Sequence, residues 1–528
     1  MNRCGQGLRH FGMEGKKMKK AMKVLAALGI CASLLTACGG GGQESVESTS
    51  GTSGSENVST EKETDVSEMY TVTMAYIGNE QADMAKVEAA MNEMLAKEVG
   101  AQIHIIPLGW GSYQQQLQLM LSGGEKLDIV PVLLNNANSY VSSGQVIDMS
   151  ELIDQYGTNI KASLGEDMAK ISNVGGYVFG VPVEKEWYTD SCILMRKDIV
   201  DKYGLDVSKV STLADCEEIF ETVKQNEPNM KIIVGSKGSG LLGRIGHSDV
   251  LLDGFGVLEN GGQSTTVKNM FETETYLDLA RTTHDFYEKG YIDKDMPTTT
   301  DSAQVIMKAG NAFCYASPYK PGVVEQDSLA SGYELVAAMI QPCEPYCTNN
   351  GVSFVSWGIA QNCTDPEITM QVLDFMYGSA EFMNLYNWGI EGEHYVVKDA
   401  EKDIIGFPDG VDASNTAYNL NLGWELPNQF NLHIWEGNTP ENMKAQAEMN
   451  KTSMKSNGLG FMYDYSSLSN ELTALSNVQE EYLNSIVCGV TDPDEIIPEL
   501  NEKLYKAGLQ KVIDEKQRQF DEWLAAQE

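Results

Sequence analysis

Cys38 directly follows Leu35-Thr36-Ala37, at the end of an apolar run from Val24 to Leu35 that is itself preceded by Lys19, Lys20 and Lys23. A short positive segment, about a dozen apolar residues and a small-residue cleavage site are the parts of a secretory signal. An ordinary signal of this kind would be cut near Ala37. The run is too short to cross a bilayer, which takes roughly 20 residues. Met18 opens such a signal by itself, so residues 1–17 are expected to be an additional leader.

Other residue patterns carry less chemistry. Gly238-Ser239-Gly240-Leu241-Leu242-Gly243 has the GxGxxG spacing of a dinucleotide loop after a strand, but no clear helix opens on its third glycine, and a plain loop is the expectation. No GxxxxGK[ST], GxSxG or HExxH occurs, which argues against a P-loop, a serine hydrolase elbow and a zincin. The six histidines are scattered and form no ligand-spaced pair. Asp409, Asp412 and Asn415 could gather around calcium, although EF-hand spacing is absent. No metal or cofactor is expected. With 75 acidic residues, some carboxylate pairs arise by chance, and a glycosidase cannot be read from pairs of unknown separation.

Aromatic and amide side chains form a more directed pattern. Trp110 and Tyr113 follow the second expected strand, Asn135 and Asn136 the third, Trp187 and Tyr188 a Val-Pro strand, and Tyr319 a later one. In open α/β sheets, ligands bind beyond the carboxyl ends of strands. Planar rings stack on the apolar faces of sugars, and amides bridge neighbouring hydroxyls. Trp187, set among charged residues in VEKEWYTD, is the foremost of these candidates; Trp357 and Trp424 complete the aromatic set.

The elements that must position these groups alternate. Tyr70 to Ile77 is apolar on both faces, as a buried strand requires. Met84, Val87, Met91 and Leu95 then recur at helical spacing. Strands near 101–107 and 127–132 follow, with a helix between them, giving a parallel α/β lobe. A strand at 176–183 leads into a second alternating lobe, with strands near 193–195, 231–234, 312–316 and 333–340. A further strand at 352–360 is followed by a helix from about 365 to 386. Loops rich in Gly, Asn and Asp begin at 391, and helices are expected at 440–452, 470–485 and 494–525, the last interrupted by Pro498 and Gly508. Residues 39–69 are Gly, Ser, Thr, Glu and little else, a composition that cannot bury enough apolar surface to fold.

The chain has 528 residues and a net charge of −37. Removing residues 1–37 takes away seven Lys/Arg and one Glu, leaving −43. Such a surface repels phosphate backbones and disfavours nucleic acid as a partner. Beyond Cys38 there are seven scattered cysteines: Cys192, Cys216, Cys314, Cys343, Cys347, Cys363 and Cys488. Cys343 and Cys347 could bridge, but an odd, dispersed set reads as buried thiols.

The Leu-Thr-Ala-Cys stretch resembles a bacterial lipobox, which implies that Cys38 carries lipid, palmitate included. Leu127-Asp128-Ile129-Val130, Tyr140-Val141-Ser142-Ser143-Gly144-Gln145 and Asp148-Met149-Ser150-Glu151-Leu152 resemble the first lobe of maltose-type sugar-binding proteins of ABC importers. Tyr177-Val178-Phe179-Gly180-Val181-Pro182 resembles their crossover, and Cys192 to Asp198 the strand and helix beyond it. Gly389 to Tyr395, Asn421 to Glu425 and Glu515 to Trp523 resemble a Gram-positive subfamily with a C-terminal extension of unassigned role. The resemblance implies a two-lobe periplasmic-binding-protein-like (type II) α/β fold with a mostly helical extension. The expected boundaries are a leader and signal at 1–37, a tether at 38–69, lobe I at 70–183 and 346–390, lobe II at 184–345, and 391–528 packing on the lobes.

The resemblance also implies a monomeric binding protein without catalysis, lipid-anchored on the outer face of the cell membrane. It would capture an oligosaccharide or uronate-containing sugar between its lobes, near Asn135, Asn136 and Glu186-Trp187-Tyr188, and deliver it to the transmembrane subunits of an ABC permease. Pro131-Val132-Leu133-Leu134 stands where relatives often carry an aromatic. The alternatives are capture of a peptide or other polar solute, a surface adhesion lipoprotein, and a glycosidase.

Overall fold

The computed structural model describes residues 69–527. The leader, Cys38 and the tether up to residue 68 lie outside them.

Lobe I is built on a five-stranded sheet in the order 101–108, 70–77, 129–133, 355–359, 181–182. Strand Tyr70–Ile77 runs parallel to Ala101–Leu108 and Ile129–Leu133. Its last six residues are all buried, as a parallel strand covered on both faces must be. Helix Met84–Glu98 covers it through Val87, Met91 and Leu95, four residues apart and all buried. Strand Val355–Ile359 inserts antiparallel, with Val355 opposite Leu133. The single strand expected over 176–183 is two short pieces, Tyr177–Val178 and Val181–Pro182. Gly180 separates them, lying so close to the carbonyl of Trp357 that a side chain would crowd it.

Lobe II is a four-stranded sheet in the order 335–339, 191–196, 312–318, 231–233. Strand Ser191–Arg196 is buried at every position and runs antiparallel to both neighbours. Three two-residue strands join the lobes as one small sheet: Tyr188–Thr189 antiparallel to Tyr346–Cys347, which runs parallel to Met454–Lys455. The chain therefore passes between the lobes three times.

The region beyond residue 390 is divided between the two cores. Tyr418, Leu422, Leu426 and Leu432 join the lobe I core. Helices Ser469–Val487, Pro493–Ala507 and Leu509–Ala525 place Leu475, Ile486, Leu500, Val512 and Phe520 in the same core as Ile193, Phe220 and Phe286 of lobe II. The expected helix over 494–525 breaks only at Gly508, at φ 109°, and runs through Pro498. The expected helix from 365 to 386 is two, because the Ser379 hydroxyl accepts from Phe382 N at 3.2 Å and starts a new one.

Lys516, on the last helix, is fully buried. Its ammonium donates to Asp253 Oδ1 at 2.7 Å, Phe255 O at 3.0 Å, and Leu251 O and Gly256 O at 3.3 Å. The Tyr463 hydroxyl donates to the other Asp253 oxygen. These contacts hold a loop in which Leu251 and Leu252 have φ of 44° and 82°, a conformation costly for non-glycine residues.

Candidate functional site

A cavity of about 1100 Å³ lies between the lobes. Helix Val323–Ser331 of lobe II contributes Gln326, Leu329 and Ala330, and Lys320 precedes it. The facing wall is aromatic: Trp388, Phe407, Trp424 and Trp435. Trp388 ends helix Ala380–Trp388, Phe407 follows strand Ile404–Gly406, and Trp435 ends strand Ile434–Trp435. Trp388 and Trp435 stack with centroids 4.8 Å apart, and Phe407 meets Trp435 edge-on at 4.7 Å. The Trp388 indole N–H is buried and has no hydrogen-bond partner among the described residues.

The polar groups of this cavity converge on Glu186. Its Oε1 accepts from Lys320 Nζ at 3.0 Å and its Oε2 from Gln429 Nε2 at 2.8 Å. Burial works to raise this carboxyl, but Lys320, Lys185 and the Gln429 amide outweigh it and hold it at about 2. Burial pushes the Lys185 amine down. Glu186 is therefore an ionised, fully engaged carboxylate, suited to orienting hydroxyl groups and not to donating a proton. His433 is held by Asp403 at 2.7 Å. Stacking rings with a few convergent polar groups make a cleft fitted to a polyhydroxylated ligand.

Of the residues singled out from sequence, Glu186 and Trp424 line this cavity. Trp110 is 57% exposed at the lobe I rim and meets Trp424 edge-on at 5.3 Å. Tyr113, buried beside it, accepts from the Asn136 amide at 3.5 Å, and Asn136 Oδ1 accepts from Gln114 at 3.0 Å. Asn135 is exposed, and its carbonyl accepts from Tyr465 OH at 3.2 Å. Tyr319 is half-buried against the lobe II cluster of Cys192, Leu194, Tyr315 and Val323, its N–H donating to Asp190 O.

Two of the candidates are packing residues. Trp187 is 7% exposed in the lobe I core, and its indole N–H is spent on Val183 O at 2.9 Å. Trp357 is 0% exposed and donates to Glu425 O at 2.8 Å. The charged neighbours that recommended Trp187 flank it along the chain while its ring turns inward. Tyr188 lies buried in the first crossover strand.

Trp388, Phe407, Trp435, Lys320 and Gln429 carry most of the cavity yet escaped the sequence reading. The available signal was the density of aromatic and amide residues between 384 and 435, inside the stretch set apart as irregular loops.

The remaining motifs are structural. Gly240 of the GxGxxG stretch lies where any side chain would collide with Val487 O, so that glycine serves the approach of the C-terminal helices. Asp412 Oδ1 accepts from Ser414 N and Oγ, and Asn415 Oδ1 from Asp412 N, closing a turn. Asp83, Glu393 and His394 place three potential ligand atoms within 4.8 Å of one another. His394 Nδ1 accepts from Ile390 N at 2.8 Å, so the ring proton sits on Nε2 and points at Asp83 Oδ2, 3.1 Å away. That nitrogen has no lone pair for a metal; the group fastens the 390–395 turn to the start of helix Met84–Glu98. The seven described cysteines are free thiols.

Two α/β lobes, an antiparallel strand inserted in the first sheet, paired crossover strands and an interlobe cavity define a type II solute-binding fold. Solved structures share it. The N-glycan transport solute-binding protein (NgtS) from Streptococcus pneumoniae superposes with a TM-score of 0.77 at 24% identity, covering 87% of this chain and 100% of that one. Its complexes with Man1GlcNAc and Man5GlcNAc give 0.68 and 0.66. The alginate-binding protein AlgQ2 without calcium ion gives 0.58 at 16% identity, covering 86% of this chain and 99% of that one. In sequence, a Streptococcus pneumoniae serotype 4 protein named carbohydrate ABC transporter substrate-binding protein is 26% identical over 456 residues, 86% of this chain and 91% of its own. A family model described as a domain of unknown function (DUF3502) matches residues 457–525. The chain is thus related to the ABC-transporter solute-binding proteins and has their fold.

Proposed function

We propose that this protein captures an oligosaccharide in the interlobe cavity and hands it to an ABC permease without altering it. The observation that carries the reading is the wall of Trp388, Phe407, Trp424 and Trp435 facing the Lys320–Glu186–Gln429 group across about 1100 Å³. Stacking surfaces opposite fixed charged donors and acceptors suit sugar rings and their hydroxyls. The pneumococcal relative, crystallised with Man1GlcNAc and Man5GlcNAc, supports a glycan over a peptide. Secretion and lipid attachment at Cys38 would hold the protein at the outer membrane face, where the permease can receive the ligand. Closure of the lobes about the three crossover strands is the expected capture step.

The test is a thermal-shift screen of neutral oligosaccharides, uronate-containing oligosaccharides, monosaccharides and peptides. A ligand at about 100 times its Kd stabilises the fold by roughly 2.7 kcal/mol. A midpoint rise with oligosaccharides alone supports the reading; a rise with peptides alone, or release of shorter sugars during incubation, overturns it.

A further inference from the structure

A second cavity, of about 440 Å³, adjoins the interlobe cavity at the lobe I rim. Trp110, Ser112, Tyr113, Gln114, Gln115 and Gln118 line it. Trp110 is the largest exposed apolar side chain among the described residues, at 57%. It is nevertheless fixed: Trp424 packs on it edge-on at 5.3 Å and Tyr113 lies 5.8 Å away. Tyr113 is in turn held by Asn136, and Asn136 by Gln114. Trp424 lines the interlobe cavity and Trp110 the rim cavity, so the edge-on pair stands between the two spaces.

A lone exposed tryptophan on a soluble surface needs no explanation. This one is braced on two sides, stands over a concavity, and is accompanied by the exposed amides of Gln114, Gln115 and Gln118. Helix Tyr113–Gly123 turns Tyr113, Leu117 and Leu121 into the core, which leaves the glutamines and the exposed Leu119 on the outer face. An aromatic plane beside several uncharged amides matches sugar hydroxyls and ring faces, and the lining presents no charged side chain.

We infer that this rim cavity is a distal subsite that binds the outer sugar units of a ligand too long for the interlobe cavity. The inference rests on reading the interlobe cavity as a glycan site. It favours extended oligosaccharides whose outer units are uncharged and assigns Trp110 a role in discriminating length.

The experiment is calorimetric titration with three size ladders: Man1GlcNAc to Man5GlcNAc, maltose to maltoheptaose, and xylobiose to xylohexaose. In the ladder that binds, Trp110→Ala is expected to weaken the longest member about tenfold and the shortest less than twofold, with an unchanged thermal midpoint. The double variant Gln115→Ala/Gln118→Ala, at exposed side chains, is expected to show the same dependence on length. Equal losses on short and long members would place Trp110 in the main site and overturn the subsite. Unchanged binding of the longest member would overturn it as well, while leaving the glycan reading intact. Parent protein that binds no member of any ladder would defeat both.

Discussion

Lys320 Nζ stands 3.0 Å from Glu186 Oε1, and this pair ties lobe II to the lobe I segment that enters the first crossover. Lys320 follows the strand Ala312–Pro318, and Glu186 precedes the strand Tyr188–Thr189. This ion pair lines the space in which the ligand is proposed to sit.

Removing one partner should cost more than removing the charge of the other. Lys320→Met leaves an ionised Glu186 half-buried with only Gln429 and Lys185 nearby. It is expected to cost about 1–3 kcal/mol near neutral pH, the scale of stranding a buried charge-assisted bond. The Glu186 carboxyl lies below its ordinary value, so its contribution is present above about pH 4.5 and is lost as pH falls toward 2. Denaturation of parent and variant at pH 7 and pH 3 checks this: the gap should narrow at the lower pH.

Glu425 should behave oppositely. It is fully buried, its Oε1 accepts from Ile77 N at 2.9 Å, and its Oε2 has no partner among the described residues. Burial pushes the carboxyl up to about 8, against the Ile77 hydrogen bond. The folded state therefore holds a proton that the unfolded chain releases near 4.5. This term is fully favourable below about 4.5 and is lost as pH rises to 8. Glu425→Gln should match the parent at pH 5 and exceed it at pH 8.5 by about 3–5 kcal/mol, the scale of the shift. A stability difference independent of pH would show that the carboxyl is ionised in the fold.

Trp187→Ala and Trp357→Ala should each lower unfolding stability by about 3–5 kcal/mol, the usual result of emptying a buried aromatic site. Any ligand-induced rise in the melting point should survive in both, because the rings face the core. Loss of the ligand shift without loss of stability would return Trp187 to the binding site.

Lys516→Met should unfold lobe II more readily, by about 1–3 kcal/mol, since it removes the cation from Asp253, which keeps Tyr463 and Phe255 N as donors, and takes a donor from three carbonyls. Hydrogen exchange should localise the loosening to residues 250–256. Uniform exchange in that loop before and after the change would contradict the clamp.

The parallel β-α-β-α-β start of lobe I was legible because Tyr70–Ile77 and Ile129–Leu133 are short apolar runs alternating with helices of clear period, whereas the antiparallel insertion of Val355–Ile359, distant in sequence, was not. The candidate site was legible only in part. Glu186 and Trp424 sit beside recognisable motifs, and Trp110 and Asn136 follow strands. Trp388, Phe407 and Trp435 come together through a small sheet of two- to four-residue strands within irregular loops. Elements that short have no periodicity to read. Trp187 misled because the sign of its neighbours' charges carries no information about which way a ring turns in a crossover segment. The C-terminal helices looked like an extension, since nothing local to 469–525 reveals that Leu475, Leu500 and Phe520 complete the lobe II core.

The most direct measurement is calorimetric titration of parent protein and Trp435→Ala with the oligosaccharide that gives the largest thermal shift. Trp435 stacks on Trp388 at the cavity wall and is only half-buried. The account predicts saturable one-site binding by the parent, and at least a tenfold weaker affinity for the variant, with an unchanged ligand-free melting point. Equal affinity in the two proteins, or no binding of any oligosaccharide by the parent, would contradict it.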